Sequence, residues 1–438
     1  MQVLHANCAG LDVHKKSVVA CRMARRGNRP GKEIQTFGTT TQALLALHDW
    51  LQAWDVTHVA MESTGDYWRP IYNILEGDFE LLLVNAQHVK QVPGRKTDVK
   101  DAEWLADLLK HGLLKASYVP DKSQRALRDL TRYRTKVVQQ RAQVINRVQK
   151  VLEDANIKLS SVATDVLGVS GRAMLDALIA GETDGAVLAK LARGRLKKKQ
   201  AALEEALTGM MSEHHRFLLS QQLALFDFLS QQIEQLNHQI ESQVAAMDDL
   251  SSPPGPSRQT AASEEEEKAT PLSYEQAVRL LDTIPGIDLT TAEVLVAEIG
   301  VDMSRFPTHK HLAAWGGLAP GHHESAGKRK SGKIRQGNHN LRSALSQAAW
   351  AASRTKETYL RAQYQRLAAR RGKRRAIIAV GHSILVMAYH MLRKHEPYHE
   401  LGHDFFDQRR RDSTVRHLFR RLEKLGVEVT EVTAPVTS

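Results

Sequence analysis

The first 115 residues switch repeatedly between a two-residue and a helical hydrophobic period, and that order restricts the possible folds most. Residues 3–11 and 17–24 are apolar, β-rich runs around a short turn, and residues 33–38 form a third, weaker run. Residues 41–54 place Leu44, Leu45, Leu47, Leu51 and Trp54 at helical spacing. A strand at 58–61, a helix at 68–75 and a strand at 79–84 follow. A helix at 98–111 then puts Ala102, Leu105, Leu108 and Leu109 on one face. The order β-β-β-α-β-α-β-α predicts a hairpin-led mixed sheet flanked by helices.

Beyond residue 123 the pattern is almost entirely helical. Leu219, Phe226, Leu229, Ile233, Leu236, Ile240 and Val244 approximate a heptad seam, which predicts a long coiled-coil arm, with a less regular helical insertion at 158–195. The Pro-, Ser- and Glu-rich stretch 251–271 reads as a flexible linker. The expected organisation is therefore α/β plus all-α: a sheet domain at 1–120, a helical region at 121–250, the linker, a mainly helical domain at 272–405, and a tail at 406–438 whose end frays.

The net charge of +12 points to a polyanionic partner, because Lys and Arg gain affinity by releasing counterions from phosphates. With Cys8 and Cys21 alone, a disulfide scaffold or a cysteine zinc site is excluded. If the first two strands form a hairpin around residues 13–16, these cysteines lie opposite each other as small apolar residues. There is no signal-peptide core and no apolar run of membrane-spanning length, so a cytoplasmic, nucleoid-associated protein without a membrane partner is expected.

Acidic residues fall where strands end. Asp12 closes the first strand in GLDVHKKS and Glu62 the fourth in VAMESTGDYW, while Asp98 and Asp101 open a helix, three residues apart on one face. Singly, each has an ordinary role as a turn cap, a solvated strand end or a helix-start acid. Together, four carboxylates converging on one point repel unless a divalent cation lies between them, and Mg2+ or Mn2+ suits such oxygen donors. The strand order is similar to the ribonuclease-H-like fold of Holliday-junction resolvases of the RuvC type. The phrases GLDVHKKSV, MESTG-Y-W and GRKTDVKDAEWLADLL resemble the DEDD transposases of the insertion sequence 110 family. That resemblance implies a bacterial or archaeal enzyme that cuts and rejoins DNA, guided by a bridge RNA. It also implies that Asp12, Glu62, Asp98 and Asp101 are the metal-binding acids, and that the protein is a homo-oligomer in which one subunit's serine domain meets another's acidic domain.

The second half carries a separate resemblance. LLDTIPGIDLTTAEVLVAEIG resembles a helix-hairpin-helix, but Asp288 stands where the pattern has a second glycine, so the turn serves either phosphate contact or helix packing. The segment from Phe306 to Trp350 is similar to the C-terminal domain of the same family. The matching nucleophile is Ser325, with Ser331 as the second candidate. Lys328, Arg329, Lys330, Lys333 and Arg335 would meet phosphate, and Gly337, Asn338 and Arg342 match a motif that shapes the site or grips backbone phosphates. From Ser325 to Arg375 there are 15 Lys or Arg against one acid, Glu357, a bias unlike the mixed sign of a solvated face. His395-Glu396-Pro397-Tyr398-His399 spells a zinc-protease motif, but Pro397 breaks the shared helix face such a site needs. The function expected is a metal-assisted serine recombinase. The alternatives are a structure-specific nuclease using metal-activated water and a non-catalytic nucleic-acid scaffold.

Overall fold

The computed structural model describes residues 2–26, 29–63, 65–85, 101–251, 272–319, 321, 323–325, 328–331, 334, 337–409 and 411–426. Asp98, Lys333, Arg335, all of the expected linker except Ser251, and the C-terminal TAPVTS lie outside them. The chain divides into two units, Met1–Pro120 and Asp121–Ser438.

In the first unit, β1 (Cys8–Val13), β2 (Ser17–Arg26) and β3 (Arg29–Gly38) form an antiparallel meander. After α1 (Thr41–Gln52), β4 (His58–Glu62) pairs parallel to β1; after α2 (Trp68–Leu75), β5 (Glu80–Val84) pairs parallel to β4. The sheet order β3-β2-β1-β4-β5 fits the ribonuclease-H-like arrangement expected. β1 begins later than the apolar run does, because the Leu4 and His5 amides donate to the Lys110 carbonyl of α3 (Asp101–Lys110) instead of entering the sheet. β3 extends earlier than expected, through Pro30 and Gly31, which an edge strand tolerates.

Period-two alternation divides the sheet into two faces. Ala9, Leu11, Val18, Ala20, Val59 and Met61 pack with Leu44, Leu47 and Leu51 of α1 and Ile71 and Leu75 of α2. Arg22 is buried on the α1 side, with its guanidinium over the Trp50 and Trp54 rings and ion-paired to Glu33 at 2.6 Å. The opposite face carries Cys8, Gly10, Cys21 and Ala60 against α3.

The register corrects the cysteine expectation. Cys21 lies opposite Gly10 and Cys8 opposite Met23, so the two thiols are offset by one pair on the same face. Burial pushes the Cys8 thiol up to about 11 and the Cys21 thiol up to about 12. A thiol held protonated this way contributes stability that is intact below its ordinary pKa of 9.0 and lost as pH rises towards about 11. At pH 8 a thiol reagent should label neither cysteine in the native protein and both in denaturant, read by mass spectrometry; rapid native labelling would contradict the burial.

In the second unit, α4 (Lys122–Asp154) and α9 (Glu213–Ser251) pack along each other. Leu127 meets Ile240 and Met247, Val137 and Val144 meet Leu229 and Ile233, and Val148 and Leu152 share a cluster with Leu219 and Leu223. Rising numbers on one helix match falling numbers on the other, so the pair is antiparallel. The apolar seam read from the sequence is therefore covered by α4 of the same chain. Between the far ends of this pair sit α5 (Leu159–Val162), α6 (Val169–Ala180), α7 (Gly185–Lys190) and α8 (Gln200–Leu207), with their own apolar core.

The remaining elements are α10 (Tyr274–Asp282), α11 (Leu289–Ile299), α12 (His309–Trp315), β6 (His323–Ser325), β7 (Lys328–Ser331), α13 (His339–Ala352), α14 (Tyr359–Arg371), α15 (Lys373–Lys394), α16 (Phe405–Gln408) and α17 (Arg411–Lys424). α15 is long and apolar enough, by length and composition alone, to cross a membrane. It packs against α10, α12, α13 and α14 and buries Ile377, Val380, Ile384, Leu385 and Leu392, as a core helix does. α15 ends at Lys394, with His395 left-handed at φ 58°, so the zinc-like histidines do not share a helix.

The α10–α11 turn resolves as a packing turn. Gly286 has φ +90°, and a Cβ there would lie 2.5 Å from the Ala348 carbonyl oxygen and the Ala352 nitrogen of α13. The Asp288 carboxylate caps α11, accepting from the Thr291 amide at 2.8 Å, and so occupies the helix start where a phosphate would bind. Asp288→Ala should cost about 1 kcal/mol in thermal unfolding and leave DNA affinity unchanged, whereas a phosphate-gripping turn would bind DNA more tightly once the carboxylate is gone.

Candidate functional site

Asp12 is the fifth residue of β1 and Glu62 the last of β4, and these strands are parallel neighbours with Leu11 beside Met61. Alternation puts Asp12 on the face of Cys8 and Gly10, and Glu62 on the face of Ala60, which is the α3 face. α3 runs antiparallel to β1: its Lys110 end binds Leu4 and His5, the Ala106 carbonyl accepts the Cys8 thiol at 3.5 Å, and Ala102 meets Gly10. Its first residue, Asp101, therefore lies at the same end of that face as Asp12 and Glu62. Gly10 permits this approach, since a Cβ there would sit 2.5 Å from the Ala106 nitrogen and 2.9 Å from the Leu105 Cβ.

All three acids are half-buried. Asp12 Oδ2 lies 3.1 Å from His14 Nε2, a neighbour that sequence reasoning passed over although it sits two residues on, beyond the strand. One turn into α3, Glu103 pairs with Lys32 of β3 at 2.6 Å, and that carboxylate raises the Lys32 pKa. Carboxylate oxygens are the donors a hard divalent cation takes. Among the described residues, no three His, Cys, Asp or Glu side chains form a group that could hold a metal, and Asp98 is not among those residues. The chemistry of the donors fits Mg2+ or Mn2+, and the described acids alone do not close a shell around one.

The second cluster surrounds the serine segment. β6 and β7 form a short antiparallel hairpin where the sequence reads as a loop. Ser325 pairs with Lys328 at its closing end, Glu324 with Arg329, and His323 with Ser331 at the open end. Gly317 before the hairpin and Gly337 after it meet. A Cβ on Gly337 would fall 2.5 Å from the Gly317 Cα, and the Asn338 amide donates to the Trp315 carbonyl at 3.4 Å. The GGL and QGN motifs, distant in sequence, are thus the two sides of one stem.

Asn338, expected to shape the site or grip phosphate, has its carboxamide engaged inside the fold. Its oxygen caps α13 by accepting from the Leu341 amide at 3.1 Å, and its nitrogen donates to Glu298 Oε2 at 2.6 Å. Glu298 is 0% exposed. Arg132 binds it through Nε at 2.7 Å and Nη2 at 2.8 Å, and Arg128 Nε lies 3.5 Å away. Arg128 also donates to the Ala297 carbonyl at 2.9 Å and lies 5.7 Å from the Trp315 ring centroid. Arg342 sits on the first turn of α13, half-buried. Sequence reasoning missed Glu298 because the apolar helical context EVLVAEIG gives an acid no sign of its partners. Not every cation of the basic stretch is left for phosphate either: Arg366 pairs with Asp407 at 3.3 Å and lies over the Phe406 ring.

Comparison with known proteins covers the regions that hold both clusters. Residues 9–157 match the family model of the IS110 DEDD transposases, and residues 278–365 match the one described as transposase IS116/IS110/IS902 family. The pilin gene-inverting proteins of Moraxella bovis and Moraxella lacunata are each 35% identical over 128 residues, 28% of this chain. The chain spans only 39% of the length of those two relatives. A probable family 20 transposase of Pseudomonas aeruginosa is 26% identical over 302 residues, covering 68% of this chain and 71% of that protein. The acid-bearing sheet unit and the serine-bearing helical unit each match a model of one and the same family, and the chain belongs to the IS110 family of DEDD transposases.

Proposed function

We propose that this chain cuts and rejoins DNA as the transposase of a mobile insertion sequence, with Ser325 as nucleophile. The observation that carries the reading is the common edge shared by Asp12, Glu62 and Asp101, where the carboxyl ends of two parallel strands meet the start of α3. The relatives named for gene inversion and for transposition support DNA rearrangement as the class of reaction.

In this reading the Ser325 Oγ attacks a DNA phosphorus. An Oγ–P bond forms, the bond from phosphorus to one sugar oxygen breaks, and the serine proton ends on the departing oxygen. The phosphoserine link keeps the bond energy, so the reverse attack by a new strand end rejoins DNA without ATP. Lys328, Arg329 and Lys330 lie on β7, the strand paired with the serine's own, and with Lys333 and Arg335 would offset the charge that builds on the phosphoryl oxygens. Asp12, Glu62, Asp98 and Asp101 would hold Mg2+ or Mn2+, which when bound polarises those oxygens. Ser331 is the second candidate nucleophile. A bridge RNA would choose the DNA sites by base pairing, leaving the protein to read shape and charge. The serine unit of one subunit would serve the acidic unit of another in a homo-oligomer.

Incubating the protein with labelled junction DNA of its own element and RNA transcribed from the element's flank tests this. The wild type should form a protein–DNA adduct at Ser325, located by mass spectrometry, and Ser325→Ala should form none. Undiminished cleavage by Ser325→Ala would replace the recombinase with a water-using nuclease. Titration with Mn2+ should show binding that Asp12→Asn weakens by at least about tenfold, in line with loss of one charged oxygen donor; equal binding by both proteins would point to a scaffold without a metal site.

A further inference from the structure

We propose that Glu298 is a positioning residue: its buried carboxylate holds Asn338, and through Asn338 the closed stem of the serine hairpin, in place for attack. The inference rests on the reading that Ser325 is the nucleophile.

Glu298 is an unusual expense in a core. A carboxylate removed from water is tolerated only when it is paired and hydrogen-bonded, and removing a partner leaves an uncompensated buried charge. Here the pairing is complete on the α4 side, where the Arg132 fork takes both oxygens at 2.7 and 2.8 Å. Arg128 and Gln124 fix the adjoining backbone at the Ala297 carbonyl, at 2.9 and 3.0 Å. α4 and α11 are thereby joined rigidly at this point, and the remaining capacity of Oε2 is spent on the Asn338 carboxamide at 2.6 Å.

Asn338 is where that rigidity reaches the hairpin. It is the residue that follows Gly337, the second side of the stem, and it starts α13 by capping it. Its own amide reaches back to Trp315, immediately before the Gly316–Gly317 side. Arg128 lies over the Trp315 ring, so the first side is tied to the same cluster. Both feet of residues 318–336 are thus referred to one buried charge. A helix cap alone needs only the Asn338 oxygen; the nitrogen's bond to Glu298 adds nothing to capping and sets the position of the stem.

The test separates the two halves of the Asn338 carboxamide. Asn338→Asp keeps the capping oxygen but sets a carboxylate against Glu298, and Asn338→Ser keeps a capping oxygen and merely lacks the donor. Adduct formation is followed on a nicked suicide duplex built from the element's ends, with DNA affinity and circular dichroism measured on the same samples. We expect N338D to form the adduct roughly 10²-fold more slowly, and N338S more slowly than wild type, with DNA affinity and helix content retained; misplacement by about an ångström has that size of effect. A wild-type rate in both Asn338 variants overturns the positioning role. So does a loss of rate in N338D and N338S that is matched by an equal loss of DNA affinity or of helix content. If Ser325→Ala forms the adduct as fast as wild type, the nucleophile assignment fails, an outcome read independently of the Asn338 variants.

Discussion

The first unit depends on a backbone-to-backbone approach at Gly10. A strand residue without a Cβ lets α3 rest directly on β1, close enough that the Cys8 thiol reaches the Ala106 carbonyl. Because the contact is nearly rigid, it sets which end of α3 stands over which end of the sheet. The helix start, with Asp101, comes to the edge where Asp12 and Glu62 end their strands. Three acids from separated parts of the chain share that edge because of where one side chain is missing. The buried thiols and small residues around Gly10, Cys8, Cys21, Ala102 and Ala106, keep the layer thin enough for this to hold.

The second unit solves a different problem, that of a chain with net charge +12. Like charges held near one another resist compaction, so some cations must be neutralised internally while others remain available to a polyanion. Glu298 pairs with Arg132 and lies beside Arg128 in the interior, offsetting one of their two charges, and Glu293 pairs with Arg134 at 2.6 Å. Asp288 serves α11 as its cap. These acids are structural.

Helical periodicity alone misleads in the same unit for a physical reason. An apolar stripe reports that something covers it and says nothing of what. The seam of α9 is covered by α4 of its own chain, and the apolar length of α15 by four neighbouring helices, so neither a partner chain nor a lipid is required to bury them. The serine segment shows the converse. It is rich in Gly, Lys and Ser, which signals a loop, yet it pairs as a hairpin because its two ends are brought together at Gly317 and Gly337.

Local pattern alone determined the order of strands and helices in the first unit, since alternation and helical spacing follow from which face of each element is dry. It also put Asp12 and Glu62 at strand ends, and it ended α15 before Pro397. Tertiary structure decided the register that offsets Cys8 from Cys21, the pairing of His14 with Asp12, the intramolecular partner of α9, and the burial of Glu298 beneath Asn338. Each of these is a relation between residues far apart in the chain or across a turn. A residue's own neighbourhood in sequence encodes how it faces the core, whereas its partner is chosen only when the backbone elements dock.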